Sequence, residues 1–400
     1  MRVLVADAFP AAALAELGAL GVEVAYRPEL TADALGDALA GVAVLVVRST
    51  EVRAPAIARG EALALIVRAG AGVNTIDVAA ASGRGVLVAN CPGKNAVAVA
   101  ELAVGLLVAL DRRIPDNVTA ARAGRWDKKT FAEARGLYGR RLGVAGFGAI
   151  GRAVAERARA FGMNVTVWSR GLDADGAARA GVERAEGFDA LCACDALSLH
   201  LPATKDTKGI LDARRVALLP AGALLVNTAR AELWDEDAVV AAARAGRIRV
   251  AADVLRGEPA AGRGPLASEL AGAEGVYLTH HIGASTEQAQ EAIAAEAVRL
   301  VAEFARTGEV RGGVVNLKKR SRAAATLVVR HLDRVGVLAE VLGVLREAGL
   351  NVQEMENHLF EGESPRTAVA RIALEAAPPE ETLAAIRARG EVILHAEVYR

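Results

Sequence analysis

The sequence predicts an α/β protein with parallel sheets, followed by a smaller α+β unit. Three observations support this prediction. Short apolar segments alternate with helical segments along most of the chain. A G-x-G-x-x-G pattern at residues 146–151 lies between an apolar strand and a helix. The last stretch, about eighty residues long, has the order β-α-β-β-α-β, which is ferredoxin-like.

The first 95 residues alternate strands with helices. Strands are predicted at residues 3–8, 22–27, 42–47, 63–72 and 85–90, and helices at 11–20 and 31–40, the latter capped by Thr31. The strands end in polar or glycine-rich segments. Open α/β sheets bind ligands at this carboxyl edge, so we expect site residues there.

A long apolar helix is predicted at residues 95–110, where it connects the first unit to the glycine pattern. Residues 112–140 are more polar, and we expect them to form a surface segment. The glycine pattern then lies in a strand–turn–helix–strand unit, with strands at 142–145 and 163–168 and a helix opening at the third glycine.

Each glycine of this pattern has a predicted role in dinucleotide binding. Gly146 permits a tight turn, Gly148 lets backbone N–H groups approach a pyrophosphate, and Gly151 lets the helix pack on the strand. The alternative is a tight turn that binds no ligand. The flanking strands and helix favour the dinucleotide interpretation.

Four more strands are predicted at residues 196–202, 223–230, 249–255 and 275–283, followed by a helix at 285–307. We expect this helix to return to the first unit. The predicted domains are therefore a discontinuous substrate-binding domain (1–95 and 284–315), an inserted dinucleotide domain (96–283) and a C-terminal domain (323–400). The basic stretch at 316–322 is predicted to be a solvated linker.

Composition excludes several classes of protein. The chain has 400 residues, with 48 Lys and Arg against 48 Asp and Glu, so no net field favours nucleic acid or an anionic membrane. Three cysteines cannot all pair with one another, and Cys192 and Cys194 are predicted to be core thiols rather than half of a metal site. We expect a soluble cytoplasmic protein that binds no metal, nucleic acid or membrane.

Three residues near predicted strand ends have side chains suited to hydride transfer at a 2-hydroxy acid. A cation must hold the carboxylate, which Arg230 could do, and a proton carrier such as His281 must reach the hydroxyl oxygen. A carboxylate such as Glu258 must hold the tautomer of the histidine. Each residue alone is more often structural, but the three together downstream of a dinucleotide turn favour catalysis.

The chain resembles the D-isomer-specific 2-hydroxyacid dehydrogenases, and within them the D-3-phosphoglycerate dehydrogenases that carry a C-terminal ACT domain. The matching stretches are VVRST (46–50), VRAGAGVNTID (67–77), NCPGKNAVAVAE (90–101), GVAGFGAIG (143–151), SLHLPAT (198–204), LLVNTARAELWDEDA (224–238), ADVLRGEP (252–259) and HIGASTEQAQ (281–290). They follow the order of the family along nearly the whole chain. The resemblance implies a Rossmann-type domain inserted in a flavodoxin-like substrate domain.

The resemblance also implies roles for individual residues. Arg230 would bind the substrate carboxylate and carbonyl, His281 would act as general acid and base, and Glu258 would raise the pKa of His281. The distal group of the substrate would be bound by Arg48, Ser49, Arg68 and Asn95. Two cations among these suit a phosphate.

The cofactor implied is NAD. Its site would comprise Gly146, Gly148, Ala149, Ile150, Gly151, Ser169, Arg170, His200, Pro202, Thr228, Ala229, Asp253, Gly283 and Ala284. Asp253 would contact the nicotinamide end. Ser169 and Arg170 stand where members that use NAD usually have an acidic residue, so NADP is an alternative. Ala231 and His280 also replace a usual glycine and proline; His280 is an alternative acid–base residue, although the alignment favours His281.

The C-terminal unit resembles an ACT domain. The resemblance implies an L-serine effector site with His331, Asp333 and Asn351 as candidates, although a carboxylate at 333 disfavours the carboxylate of an amino acid. A purely structural role in oligomerisation is the alternative. We expect a homo-oligomer, either a dimer or a tetramer.

Three functions are compatible with these observations. The first is oxidation of D-3-phosphoglycerate to 3-phosphohydroxypyruvate with NAD, the first step of L-serine biosynthesis. The second is reduction of glyoxylate, hydroxypyruvate or another 2-keto acid with the same residues. A dinucleotide-sensing regulator without enzyme activity is the third, which the intact Arg230, Glu258 and His281 disfavour.

Overall fold

The computed structural model describes residues 1–259, 263–317, 323–360 and 366–399. The chain divides into two compact units, Met1–Leu317 and Lys318–Arg400. The first unit contains a five-stranded and a seven-stranded sheet, and the second contains a four-stranded sheet. Of the linker predicted at 316–322, residues 318–322 lie outside the described part of the chain.

The five-stranded sheet is entirely parallel. Its strands are β1 (Arg2–Val5), β2 (Glu23–Tyr26), β3 (Val44–Val47), β4 (Leu65–Arg68) and β5 (Leu87–Asn90), in the order β2-β1-β3-β4-β5. Helices α1 (Ala11–Ala19), α2 (Leu35–Ala38), α3 (Ala54–Arg59) and α4 (Val78–Gly83) lie between the strands. This strand order confirms the flavodoxin-like prediction.

The helix predicted at 31–40 is wrong in extent, because only Leu35–Ala38 is helical. The Thr31 hydroxyl does accept a hydrogen bond from the Ala34 amide at 3.4 Å, but within a turn. The residues before the helix form a turn, in which the Ala34 and Leu35 amides donate to the Thr31 carbonyl. A Cβ on Gly36 would lie 3.0 Å from Cδ of Arg59, so this segment is fitted closely to its neighbour.

The seven-stranded sheet is also parallel. Its strands are β6 (Arg141–Ala145), β7 (Asn164–Trp168), β8 (Glu183–Arg184), β9 (Ala196–Leu199), β10 (Ala223–Asn227), β11 (Ile248–Ala252) and β12 (Val276–Leu278). The order is β12-β11-β10-β9-β6-β7-β8, so the direction of winding reverses between β6 and β9. This order confirms the Rossmann-type prediction, and ligands bind at such a reversal point.

The helices of this region are α5 (Ala96–Arg112), α6 (Ile114–Arg122), α7 (Lys128–Phe131), α8 (Ala149–Ala160), α9 (Ala174–Ala180), α10 (Phe188–Leu191), α11 (Ala213–Leu218) and α12 (Glu236–Arg244), with 3₁₀ turns at Ala231–Leu233 and Glu269–Gly272. Cys192 and Cys194 are buried, as predicted, although they lie after α10 and before β9 rather than in a strand.

One prediction in this region is wrong. Helix α8 begins at Ala149 rather than at the third glycine, because Gly148 already serves as its N-cap. The segment 112–140 is mostly exposed, as predicted, and it contains α6 and α7. Pro115 in the first turn of α6 and the cap Asp127, which accepts a hydrogen bond from the Thr130 amide, are the sequence signals for these helices.

The long helix α13 (Glu287–Thr307) packs on the five-stranded sheet, far from its neighbours in sequence. Ile293, Ala297 and Val301 join a buried cluster that includes Val3 and Leu17. The chain then runs along β5. There the Asn316 side chain accepts a hydrogen bond from the Val88 amide at 2.7 Å and donates one to the Val86 carbonyl at 2.9 Å. Asn316 is therefore anchored to this sheet rather than solvated.

The second unit is a ferredoxin-like fold, as predicted. Its elements are β13 (Ala325–Leu332), α14 (Val337–Glu347), β14 (Val352–Phe360), β15 (Thr367–Leu374), α15 (Glu380–Arg387) and β16 (Ile393–Tyr399). All strand pairs are antiparallel, in the order β14-β15-β13-β16. Within the described residues, none of the helices in either unit is long and apolar enough to cross a membrane.

Candidate active site

The glycine turn between β6 and α8 has the geometry of a dinucleotide cradle. Gly146 has a φ of 97°, and a Cβ there would overlap the carbonyl oxygen of His200. A Cβ on Gly151 would overlap the carbonyl oxygen of Gly146, so the helix packs directly on the turn. A Cβ on Gly148 would meet no atom within 4 Å. Two glycines are thus required by protein packing, while the space beside Gly148 is open to a ligand.

The N-terminus of α8 faces this open space without a protein cap. Gly148 provides no side-chain cap, and no side chain in the described part of the chain hydrogen-bonds to the first amides of the helix, where Ala149 and Ile150 lie. Uncapped amides at a helix N-terminus bind anionic groups, because their N–H groups and the helix dipole both favour negative charge. This arrangement suits the pyrophosphate of a dinucleotide.

Buried polar atoms beside the glycine turn lack protein partners. Nδ1 of His200 and Oγ1 of Thr228 are both buried without a hydrogen bond to any described residue. Nε2 of His200 is bonded to the Ser198 hydroxyl at 2.8 Å, and burial lowers the pKa of His200 to about 4, so the ring is neutral. Unsatisfied buried groups are rare. A cofactor with hydrogen-bonding groups therefore fits this site.

The other predicted cofactor residues follow neighbouring strands of the same sheet. Pro202 follows β9, Ala229 follows β10, and Gly283 and Ala284 follow β12. Ser169 and Arg170 come directly after β7. The parallel direction of the strands brings all of these residues to one edge.

His281 and Glu258, the two residues that the sequence predicts to act as an acid–base pair, are in direct contact. Nδ1 of His281 lies 2.8 Å from Oε2 of Glu258, and the other carboxylate oxygen accepts a hydrogen bond from the Leu255 amide at 2.7 Å. The hydrogen bond and charge of Glu258 outweigh burial and raise the pKa of His281. Burial raises the pKa of Glu258, but the hydrogen bonds from His281 and Leu255 and the charges of His281 and Arg230 together lower it below its ordinary range. With Nδ1 held, Nε2 of His281 is left to exchange a proton with a ligand.

The backbone at His281 is in the left-handed region, with φ of 54°. Such a conformation is uncommon for residues other than glycine and must be held by the surroundings. Asp253, which is buried, supplies this support. Its carboxylate accepts hydrogen bonds from the Ile282 and Gly283 amides, both at 2.8 Å, and from the Thr279 hydroxyl at 2.6 Å. Asp253 therefore positions the segment that carries His281.

Arg230 extends from the seven-stranded sheet towards the five-stranded one. A Cβ on Gly72 would lie 2.6 Å from Nη2 of Arg230, so the guanidinium lies over the backbone of Gly72. The side chain of Asn227 shapes this turn, because it donates to the Arg230 carbonyl at 2.9 Å and accepts from the Ala229 amide at 3.0 Å. Arg230 also contributes to the potential at both Glu258 and His281. The cation and the acid–base pair thus share one site.

Arg48 and Ser49 lie at the carboxyl end of β3, where Asp7 fixes their backbone. Oδ2 of Asp7 accepts hydrogen bonds from the amides of Arg48 at 2.6 Å and Ser49 at 3.1 Å. The same oxygen accepts a bond from Thr50 at 3.1 Å. The Asp7 carboxylate is thereby occupied by the loop backbone. This leaves the Arg48 guanidinium without an ion-pair partner among the described residues.

Arg68 is a partly buried cation at the end of β4. Burial lowers the pKa of Arg68, and the like charges of Arg230 and Arg48 lower it further. Its Nε is buried without a hydrogen bond to any described residue, and its guanidinium lies over Gly70. Oδ1 of Asn95 is also buried without a hydrogen bond to any described residue. Three neighbouring cations without carboxylate partners indicate a site for an anionic ligand.

Two residues that support the site were not predicted from the sequence. Asp7 holds the 48–50 loop and Asn227 holds the turn at Arg230. Both are polar residues at the carboxyl end of a buried strand, and this signal could have identified them. His280 is exposed, and the pair formed with Glu258 involves His281 instead.

The candidate effector residues belong to the second unit. His331 is buried, and its ring nitrogens lie 2.8 Å from the Leu332 carbonyl and 3.1 Å from the Asn357 side chain. Asp333 and Asn351 are exposed. An effector could therefore reach Asp333 and Asn351 directly, whereas His331 is already engaged with protein groups.

Comparison with known proteins identifies the dinucleotide region. Residues 104–283 match the model of the D-isomer specific 2-hydroxyacid dehydrogenase NAD binding domain. The predicted cofactor class, NAD, agrees with this match. The chain is similar to the D-3-phosphoglycerate dehydrogenase of Methanocaldococcus jannaschii, with 39% identity over 79% of this chain and 60% of the relative. It spans less than two thirds of the length of the curated relatives it matches.

Two solved structures of dehydrogenases or reductases are also similar to this chain. The NAD⁺-bound 3-phosphoglycerate dehydrogenase of Entamoeba histolytica is 26% identical, with a TM-score of 0.65 over 79% of this chain and 98% of that one. A glyoxylate reductase from Paecilomyes thermophila is 29% identical, with a TM-score of 0.70 over 79% and 98%. Residues 104–283 therefore belong to the D-isomer specific 2-hydroxyacid dehydrogenase NAD binding domain family.

Proposed function

We propose that the chain oxidises D-3-phosphoglycerate to 3-phosphohydroxypyruvate with NAD, the first step of L-serine biosynthesis. The observation that carries the proposal is the group of three cations beside the acid–base pair. Arg48, Arg68 and Arg230 have no ion-pair partner among the described residues, while His281 and Glu258 are paired with each other. A substrate with both a carboxylate and a phosphate supplies the missing negative charges.

Each residue has a defined task in this reaction. Arg230 presents a planar fork of donors to the substrate carboxylate and carbonyl oxygen, in the two-point manner that only arginine provides. Nε2 of neutral His281 accepts the hydroxyl proton as the C–O bond becomes a carbonyl. Glu258 then stabilises the imidazolium through Nδ1. NAD supplies the acceptor for the hydride that leaves C2.

The cations of the five-stranded sheet would bind the phosphate. Arg48 and Arg68 follow or end neighbouring strands, and Ser49 and Asn95 add polar groups to the same region. Arg68 is held as a cation against burial and two like charges, so a dianionic group there would relieve repulsion as well as form hydrogen bonds.

The test is a comparison of substrates at equal concentration. NADH formation is followed with D-3-phosphoglycerate, D-glycerate and D-lactate, for the wild type and for Arg68→Met. We expect a strong preference for the phosphorylated acid, which Arg68→Met removes while D-glycerate oxidation is little changed. Equal rates with D-glycerate and D-3-phosphoglycerate would contradict the proposal.

The second candidate is reduction of an unphosphorylated 2-keto acid such as glyoxylate or hydroxypyruvate. The likeness to a glyoxylate reductase supports it, since fold and acid–base pair would serve both reactions. Measuring NADH oxidation with these keto acids alongside 3-phosphohydroxypyruvate distinguishes the two.

Regulation and assembly are further parts of the proposal. L-Serine would bind the second unit at Asp333 and Asn351, both exposed, and the protein would work as a homo-oligomer in the cytoplasm. Titration of activity with serine tests the first point, and no change at millimolar serine would contradict it. Light scattering of the purified chain tests the second.

A further inference from the structure

An exposed ion pair joins the two segments that border the glycine turn. Nη1 of Arg170 lies 3.0 Å from Oδ2 of Asp206. Arg170 follows β7 and Asp206 follows β9, and these strands flank β6 on either side. Hydrogen bonds of 2.8 Å, from Gly146 to the Trp168 carbonyl and from His200 to the Ala145 carbonyl, tie both segments to the turn. The pair is thus placed at the mouth of the dinucleotide cradle.

The segment after β7 is where related folds recognise the ribose of the cofactor. A carboxylate about twenty residues after the glycine turn usually accepts a hydrogen bond from the ribose 2′-hydroxyl, whereas an arginine there accommodates a 2′-phosphate. Here Ser169 and Arg170 occupy that place. Taken alone, Arg170 predicts NADP, which conflicts with the match to an NAD binding domain.

Asp206 removes this conflict. We propose that Asp206 supplies, from the segment after β9, the carboxylate that the segment after β7 lacks, and so selects NAD over NADP. The inference rests on cofactor binding at the glycine turn, as in the proposed function. Asp206 neutralises Arg170, can accept a hydrogen bond from a 2′-hydroxyl, and repels a 2′-phosphate.

Accessibility supports this role. The Arg170 and Asp206 side chains are 68% and 73% exposed, so both can reach a ligand. An exposed pair contributes little to folding, and its removal leaves the fold intact. Lys205 and Lys208 flank Asp206 and stay in place in every variant, so a change in selectivity after substitution of Asp206 reports on that carboxylate.

The experiment measures the dissociation constants of NADH and NADPH by direct titration without substrate. The proteins are the wild type, Asp206→Asn, Arg170→Ala and the double variant. We expect the wild type to prefer NADH and Asp206→Asn to shift the NADH/NADPH ratio towards NADPH by about tenfold, the discrimination that one charged hydrogen bond provides. The double variant should lose this shift, because the gain requires an unpaired Arg170.

The matched control is Glu269→Gln. It breaks the exposed Arg244–Glu269 pair, which has the same 3.0 Å distance and lies in the same sheet domain, and it should leave the ratio unchanged. The shift should also shrink as salt is raised, since both groups are exposed. An unchanged ratio in Asp206→Asn, or a wild type that binds NADPH more tightly, would overturn the inference.

Failure of the proposed function gives a different result. If both cofactor titrations behave as expected but D-3-phosphoglycerate is not oxidised, the substrate assignment is wrong and the role of Asp206 stands. If the wild type binds neither dinucleotide, both are overturned.

Discussion

The two sides of the candidate site differ in how their charges are satisfied. On the seven-stranded sheet, His281, Glu258 and Asp253 bond to one another's segments and to backbone amides. On the opposite side, Arg48 and Arg230 act on Arg68 as like charges, and none of the three forms an ion pair with a described residue. We therefore predict that the side with His281 is complete before substrate binds, whereas the cationic side is completed by the substrate. Removing a group from the first side should cost stability, and removing one from the second should cost binding alone.

The largest effect is expected for His281→Asn. Asparagine tolerates the left-handed backbone at this position, where φ is 54°, so the loop should keep its shape. Turnover should fall by about 10²–10⁴-fold, because a positioned proton carrier is lost. Titration with NADH should show unchanged cofactor affinity. His280→Asn is the control and should keep its activity. A similar loss of turnover in His280→Asn would contradict the assignment of proton transfer to His281.

Asp253→Ala tests whether the acid–base side is held by internal partners. The variant leaves the Ile282 and Gly283 amides without their acceptor, so the free energy of unfolding should fall by about 3 kcal/mol. Denaturant titration measures this change. Asp235→Ala, which removes only a helix cap bond to Ala238, should cost about 1 kcal/mol. Equal losses in the two variants would argue against the special role of Asp253.

Arg68→Met tests the opposite side. Arg68 is enclosed and faces two like charges, so its removal should leave the free energy of unfolding unchanged or raise it by about 1 kcal/mol. The KM for D-3-phosphoglycerate should rise by at least about tenfold. Arg140→Met is the matched control. Arg140 is buried against Asp111 at 3.0 Å, and its loss should destabilise the fold by about 3 kcal/mol. Destabilisation of similar size in Arg68→Met would contradict the prediction that groups on the cationic side contribute to binding and not to stability.

The smallest effect is the change in pH dependence for Glu258→Gln. His281 must be neutral to accept a proton, so oxidation should decline as the pH falls below the pKa of His281. Glu258 raises that pKa, and its removal should therefore move the acidic decline of kcat/KM to lower pH. Rate profiles for the wild type and the variant check this. A shift to higher pH would mean that another group controls the decline.

Sequence patterns predicted the sheets well, because the alternation of strands and helices is a local signal. The β-α-β-β-α-β order of the last unit was predicted and is observed, and the His281–Glu258 contact agrees with the pairing implied by the resemblance. Ends of strands also indicated the edge where Arg230 and Arg68 lie.

The remaining features depend on tertiary contacts that no local pattern contains. The role of Asp7, for example, requires a loop 41 residues away. The Arg170–Asp206 pair joins segments 36 residues apart, so neither residue alone revealed it. Sequence reasoning identified Arg170 as a departure from the family and left its consequence open.

The return of the chain to its first sheet has a consequence for synthesis on the ribosome. The Val88 amide finds its acceptor in Asn316, 228 residues later, and one face of the five-stranded sheet is covered by α13. At about 5–20 residues per second, the first sheet waits for on the order of tens of seconds with that apolar face covered only in part, by α1. The seven-stranded sheet, complete in sequence by residue 278, can close earlier. The domain made second is thus the one able to fold first, and the nascent segment that carries the first sheet is the part most in need of a chaperone.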